Sequence, residues 1–170
     1  MPFTPFHFGP GALIKAYAPR HVSFTVFVFS QVLIDIEPLY YMMQGEYPIH
    51  RFFHSYLGAT LIVIAAYIFG RPVCGLALAI MKKQLQFSTT SFIAASRTIQ
   101  HLPALTGAAI GAYSHVLLDS IMHSDIRPFA PFFEYNYLFL AISVAELHVF
   151  CTVAGLLGAL VLGFRWLEKK

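Results

Sequence analysis

Charge is what this chain has least of. Asp, Glu, Lys and Arg make up 11% of its 170 residues, where soluble domains carry roughly a quarter. That scarcity, with 58% hydrophobic residues and a mean hydropathy of +0.67, excludes an ordinary soluble globule and fits an integral membrane protein. The net charge of +3 is small and its members scattered, which excludes a nucleic-acid footprint. There are two cysteines, Cys74 and Cys151, both inside apolar runs. They exclude a disulfide framework and a zinc–thiolate centre, and read as free packing residues. The opening Met1-Pro2-Phe3-Thr4-Pro5-Phe6-His7 lacks a basic stretch and carries two prolines, so no cleavable signal peptide is expected. Internal repeats and low-complexity linkers are absent, which predicts a single membrane-embedded helical domain over residues 1–170. A phosphate loop is missing too; Gly9-Pro10-Gly11 is a turn, not a dinucleotide fingerprint. Ser55 follows His54 and Ser114 precedes His115. Neighbours on a helix do not face each other, so neither pair makes a nucleophile–base couple.

What is present is a series of apolar runs, over 9–18, 22–36, 50–69, 104–123 and 137–166. Phe and Tyr are abundant, as suits lipid contact and an interfacial belt. A spanning helix needs about 20 apolar residues. The last three runs reach that length, and Gly70-Arg71-Pro72 is expected to end the first of them. The first run is too short to span, and the second, expected to stop before Pro38, falls short unless it continues to Met43. Together these two predict a short N-terminal helical hairpin, with its first arm half inserted. The fold class is therefore all-α, a polytopic integral membrane helical bundle of four or five embedded segments. If the runs alternate in direction, with 73–100 staying on one side, Lys15, Arg20, Arg71, Lys82, Lys83, Arg97, Arg165, Lys169 and Lys170 share one side. Arg51 and Arg127 alone fall on the other. The basic side should be cytoplasmic.

The same alternation gathers the titratable groups at the opposite, non-cytoplasmic end. His7 opens the first run, Asp35 and Glu37 close the second, His50 and His54 open the third, and His115 and Asp119 lie late in the fourth. The pairs His50/His54 and His115/Asp119 are each spaced i, i+4, which puts both side chains on one helix face, one turn apart. Polar groups are costly in an apolar segment and mark function there. Mixed imidazole and carboxylate ligands suit Zn²⁺, with Mn²⁺ or Fe²⁺ as alternatives. The set His7, Asp35, His50, His54, His115 and Asp119 is read as ligands to one or two divalent ions. A catalytic ion with an open position polarises a water and lowers its pKa toward about 7. Glu37 or Asp119, whichever is not a ligand, would then take a proton. Glu37 and Asp35 diverge on a regular helix, so both turn inward only if the helix breaks near Pro38. Glu146 and His148, on the last run, come to a similar depth, though Glu146 fits helix-to-helix hydrogen bonding better. His123 continues the His115, Asp119 stripe, but Ser124-Asp125 suggests that the helix ends there. Arg51 and Arg127 are candidate clamps for an anionic substrate; snorkelling to headgroups is the alternative.

On these residues the chain resembles the predicted membrane-bound metal-dependent hydrolases, the group that includes the inner-membrane LexA-binding hydrolase of enteric bacteria. The matching pieces are His7 ahead of a Gly-rich short helix, Asp35-Ile36-Glu37 where the family has Asp-x-Asp, His50-Arg51-x-x-His54-Ser55, Ser114-His115-x-x-x-Asp119, and the later Pro128-Phe129. They occur in the family's order across residues 1–135. The opening Met1-Pro2-Phe3-Thr4-Pro5 is similar to that of a related membrane family. The departure is Glu37, a longer carboxylate than the family's Asp. The His-x-x-x-Asp element is also similar to that of bacterial zinc-dependent phospholipase C. The resemblance implies a bacterial inner-membrane enzyme that hydrolyses a membrane-associated substrate, a phospholipid or lipid-linked phosphoester. The alternative is a divalent-metal-binding membrane protein without hydrolytic activity, in transport, sensing or structural partnership. Transport is disfavoured because 62–69 and 153–162, the cytoplasmic halves of two runs, carry almost no polar residue.

Overall fold

The computed structural model describes residues 5–85 and 99–168. Met1 to Thr4, Arg97, Lys169 and Lys170 lie outside the described residues, as do the side chains of Lys82 and Lys83, so part of the charge asymmetry rests on sequence alone. Every regular element among the described residues is helical: α1 (Phe8–Tyr17), α2 (Phe24–Ile34), α3 (Ile36–Gln44), α4 (Tyr56–Ala65), α5 (Arg71–Leu85), α6 (His101–Met122) and α7 (Val144–Leu167). Single 3-10 turns, Pro5–His7 and Phe52–His54, stand ahead of α1 and α4.

Three continuous helical stretches are long and apolar enough to cross a membrane: Phe24–Gln44, Tyr56–Met81 and Val144–Leu167. Two of them run past the stops expected from the sequence. Pro38 does not end the second run; it is the third residue of α3, where its missing N–H falls among the donors a helix start leaves unbonded anyway. The interruption comes earlier, at Asp35, between α2 and α3. Gly70-Arg71-Pro72 does not end the third run either. A π-helical turn, Ala66–Gly70, carries α4 into α5 and leaves Pro72 in the first turn of α5. The run expected to span over 104–123 becomes α6, 22 residues long, yet it is not among the three, because Gly, Ser, His and Asp dilute its apolar content.

That dilution suits its position. α6 packs against both α2 and α4, and its small residues let those neighbours come close. Ala108 and Ala112 meet Val26, Ile34, Ala59 and Ile62 in the main core. α1 spans about 15 Å at 1.5 Å per residue, too short to cross. It folds back beside α2 as the expected hairpin, but its principal partner is α7. The contact is tight at Gly9, where an added Cβ would stand 1.9 Å from the Cys151 carbonyl oxygen. Apolar side chains face outward as well as inward, and a set of polar ones is buried among them. Leu61, Ile64, Val149, Phe150 and Leu156 are exposed, while Ser30, Gln31, Asp35, His54, His115 and Asp119 are buried.

Candidate metal centre

Four elements deliver the buried acids and imidazoles to one end of the bundle. Asp35 sits at the α2–α3 interruption, and that break lets Asp35 and Glu37 both reach inward. His54 ends the 3-10 turn; Ser55 then caps α4, accepting the Gly58 N–H at 3.0 Å while its own hydroxyl donates to the Phe52 carbonyl at 2.7 Å. Gly58 is required here, since a Cβ would stand 2.0 Å from that same carbonyl oxygen. His50 and His54 are therefore not one turn apart on a helix, as their spacing suggested. They lie on the connection before α4, with ring centroids 4.7 Å apart. His115 and Asp119 do share one face of α6, with His115 Nε2 3.2 Å from Asp119 Oδ2.

Asp35, His54, His115 and Asp119 each offer a ligand atom, and these atoms all lie within 4.8 Å of one another. His115 Nε2 is 3.2 Å from Asp35 Oδ1; His54 Nε2 is 3.9 Å from Asp35 Oδ1 and 3.6 Å from Asp119 Oδ2. Four ligands held about 2.0–2.1 Å from a tetrahedral ion stand roughly 3.3 Å from each other, close to these separations. All four residues are buried. Among the described residues neither His54 Nε2 nor His115 Nε2 has a hydrogen-bond partner. A buried polar atom without a partner is costly. Two imidazole nitrogens turned toward two carboxylates at these distances, without hydrogen bonds, make a donor set that a divalent cation satisfies. The buried His/Asp group can hold a metal ion.

Glu37 stands behind this set. Its carboxylate accepts from His54 Nδ1 at 3.2 Å, from the Phe53 N–H at 3.0 Å and from the Arg51 N–H at 3.1 Å. An ionised carboxylate only accepts, so the His54 proton is on Nδ1 and the Nε2 lone pair faces the cluster. His7 lies at the edge, buried, with Nε2 3.4 Å from Asp119 Oδ1 and its ring edge-on to His115 at 5.0 Å between centroids. Gln31, one turn before Asp35, donates to the His7 carbonyl at 3.5 Å and so ties α2 to the start of α1.

His50 belongs to a neighbouring group with His123 and Asp125, whose ligand atoms also lie within 4.8 Å of one another. Its Nδ1 donates to Asp125 Oδ1 at 2.9 Å, and Asp125 Oδ2 accepts the Ile49 and His50 backbone N–H groups, each at 3.2 Å. Burial holds the His50 imidazole below its ordinary pKa, nearby His54 adds to this, and the Asp125 bond only partly offsets it. Burial lowers His123 as well. Burial alone would raise the Asp125 carboxyl, but the hydrogen bond from His50 prevails and holds it below its usual range.

Several candidates are not brought together. Arg51 sends its backbone N–H to Glu37, while its guanidinium pairs with Glu46 at 2.5 Å, bonds the Pro48 carbonyl at 2.9 Å and lies over the Tyr41 ring. Arg127 is exposed and paired with Glu134. Glu146 is exposed in a capping box with Ser143 at the start of α7, and His148 stacks on Phe6. Sequence reasoning missed the parts played by Asp125 and Gln31. The available signals were the His123-Ser124-Asp125 step just past α6, and the i, i+4 relation of Gln31 to Asp35. No family model, curated protein or solved structure matches the chain.

Proposed function

We propose that this chain is an integral membrane protein that holds a divalent metal near the non-cytoplasmic surface and hydrolyses a membrane-associated substrate, a phospholipid or lipid-linked phosphoester. The carrying observation is the pair of unpartnered buried imidazole nitrogens directed at Asp35 and Asp119. Membrane insertion is supported by three helices of spanning length and by the large apolar side chains that they expose. The orientation follows from the basic residues at the opposite end. The kinship with membrane-bound metal-dependent hydrolases stays part of the proposal, supported by His7, Asp35, Glu37, His54, His115 and Asp119, from four of its five matching pieces, meeting within one neighbourhood.

In this reading Asp35, His54, His115 and Asp119 hold the ion. Two imidazoles and two carboxylates fit Zn²⁺ first, with Mn²⁺ or Fe²⁺ also compatible. The ion, when bound, supplies Lewis acidity and an activated water. Glu37 fixes the His54 tautomer and is a positioning residue, since its lone pairs go to His54, Arg51 and Phe53. Asp119 turns Oδ2 to His54 and His115 and Oδ1 to His7. That leaves Oδ1 to accept a water proton, with His7 Nε2 placed to receive it. Water adds its oxygen to phosphorus as the P–O bond to the alcohol breaks, and a proton ends on the departing alkoxide.

The test is metal content and turnover of detergent-purified protein. Wild type should carry a divalent ion and cleave phosphodiesters in mixed micelles, followed by ³¹P NMR. His54→Ala and Asp119→Ala should lose 10-fold or more in occupancy, on the rough scale of ligand-environment changes. A fully loaded wild type that cleaves no phosphoester, ester or amide would end the hydrolase reading.

A further inference from the structure

The geometry points to a second cation site, held by His50, His123 and Asp125, adjoining the first and making a two-ion centre suited to a phosphoester substrate. This rests on the reading of the first site as a metal centre and deepens it. Three observations carry it.

The first is a matching geometry. His50 Nδ1 stands 2.9 Å from Asp125 Oδ1, as His115 Nε2 stands 3.2 Å from Asp35 Oδ1 in the first set. An ion in place of the Nδ1 proton would find these two atoms near the spacing of neighbouring ligands in a tetrahedral shell, roughly 3.3 Å. His50 would then ligate through Nδ1 and Asp125 through Oδ1.

The second is the company His50 keeps. Its ring lies 4.5 Å from that of His123, tilted 34°, and 4.7 Å from that of His54. Three imidazoles thus stand side by side, with His54 shared in neighbourhood by both groups. The ligand atoms of His50, His123 and Asp125 fall within 4.8 Å of one another, the same spread as the first set. Asp125 gives Oδ2 to the two backbone N–H groups, and Oδ1 is the oxygen an ion would share with His50 Nδ1.

The third is fixation. The His123 N–H bonds the Asp119 carbonyl at 2.9 Å, so one candidate ligand of the second site is tied to the backbone of a ligand of the first. Asn136 Nδ2 donates to the Ser120 carbonyl at 2.8 Å and to the His123 carbonyl at 3.2 Å. Asp125 in turn anchors the backbone of residues 49 and 50. The donor set is built in advance of any ion. Paired ions clamp both the attacking and the leaving oxygen in phosphoryl chemistry, which suits the phosphoester substrate already proposed.

The experiment counts ions. Metal-free protein in detergent is loaded with Zn²⁺ and desalted, and zinc is measured by mass spectrometry against sulfur from the two cysteines and five methionines. Wild type should hold two ions, His123→Ala one and His115→Ala one. Asp125→Asn keeps an acceptor for the two backbone N–H groups, covers the case in which His123→Ala fails to fold, and should weaken the second ion 10-fold or more. Mn²⁺-loaded wild type should give an exchange-coupled resonance spectrum that His123→Ala abolishes. If wild type and His123→Ala both hold one ion and His115→Ala none, the second site is refuted and the first survives. If none of the variants alters the count, both readings fall.

Discussion

Replacing Glu37 by Gln isolates the orienting carboxylate from the ligands it supports. The glutamate accepts three kinds of N–H: Arg51 at 3.1 Å, Phe53 at 3.0 Å and His54 Nδ1 at 3.2 Å. Arg51, Phe53 and His54 all reach Oε2, so the amide oxygen of Gln in that place keeps every one of these bonds. What is lost is the negative charge: a neutral amide polarises the Nδ1–H less and leaves Nε2 a weaker donor to the ion. Changes behind a metal ligand typically lower affinity 10- to 100-fold, about 1.4–2.8 kcal/mol at tenfold per 1.4 kcal/mol. The assay is competition for Zn²⁺ against a chromophoric chelator in detergent, with thermal unfolding of the metal-free protein alongside. Glu37→Gln should bind zinc at least 10-fold more weakly while unfolding near the wild-type temperature. Glu37→Ala should also lose apo stability, because an N–H left unpaired in a buried setting costs about 1–3 kcal/mol. A Glu37→Gln protein that binds zinc within twofold of wild type, while His115→Ala has lost it, would refute the positioning role.

Other outcomes follow from the same geometry. Stripping the ion with a chelator should lower the unfolding temperature, and zinc restored at 100 times its Kd should return about 2.7 kcal/mol; an unchanged temperature would count against a site formed by folding. Gly9→Ala forces a methyl group onto the Cys151 carbonyl, so chemical unfolding in detergent should show a loss of about 1–3 kcal/mol, the usual range for overpacking. The protein should stay with membranes through an alkaline carbonate wash, and release into the supernatant would contradict the spanning helices. With Cys74 and Cys151 replaced by Ala, Ser124→Cys should react with an impermeant maleimide on intact spheroplasts and Arg165→Cys should not; the reverse pattern would invert the orientation.

The sequence was most informative where the helix is regular. His115 and Asp119 sit as their spacing says, because nothing in α6 interrupts the 3.6-residue period between them. Counting helix directions also brought His7, Asp35, His54 and Asp119 to one end, since that argument needs only the number of crossings. Local breaks were harder to read. Pro38 drew attention as a stop, yet proline is tolerated in a helix's first turn, and the interruption falls at Asp35, a residue with no intrinsic mark of a break. The i, i+4 spacing of His50 and His54 suggested a helix where the chain runs through a connection and a 3-10 turn. Their rings still meet, held by Glu37 and Asp125 from outside the segment. Glu146 was drawn toward the centre by depth alone, although Ser143-x-x-Glu146 is a capping-box signature and the side chain serves its own helix.

The connection over residues 49–54 is moored by two acids from different parts of the chain, Asp125 at one end and Glu37 at the other. Each acid holds the strip by backbone N–H groups as well as by an imidazole, so the two clusters of rings are joined through one short piece of chain. A displacement of either acid is therefore passed to both His50 and His54.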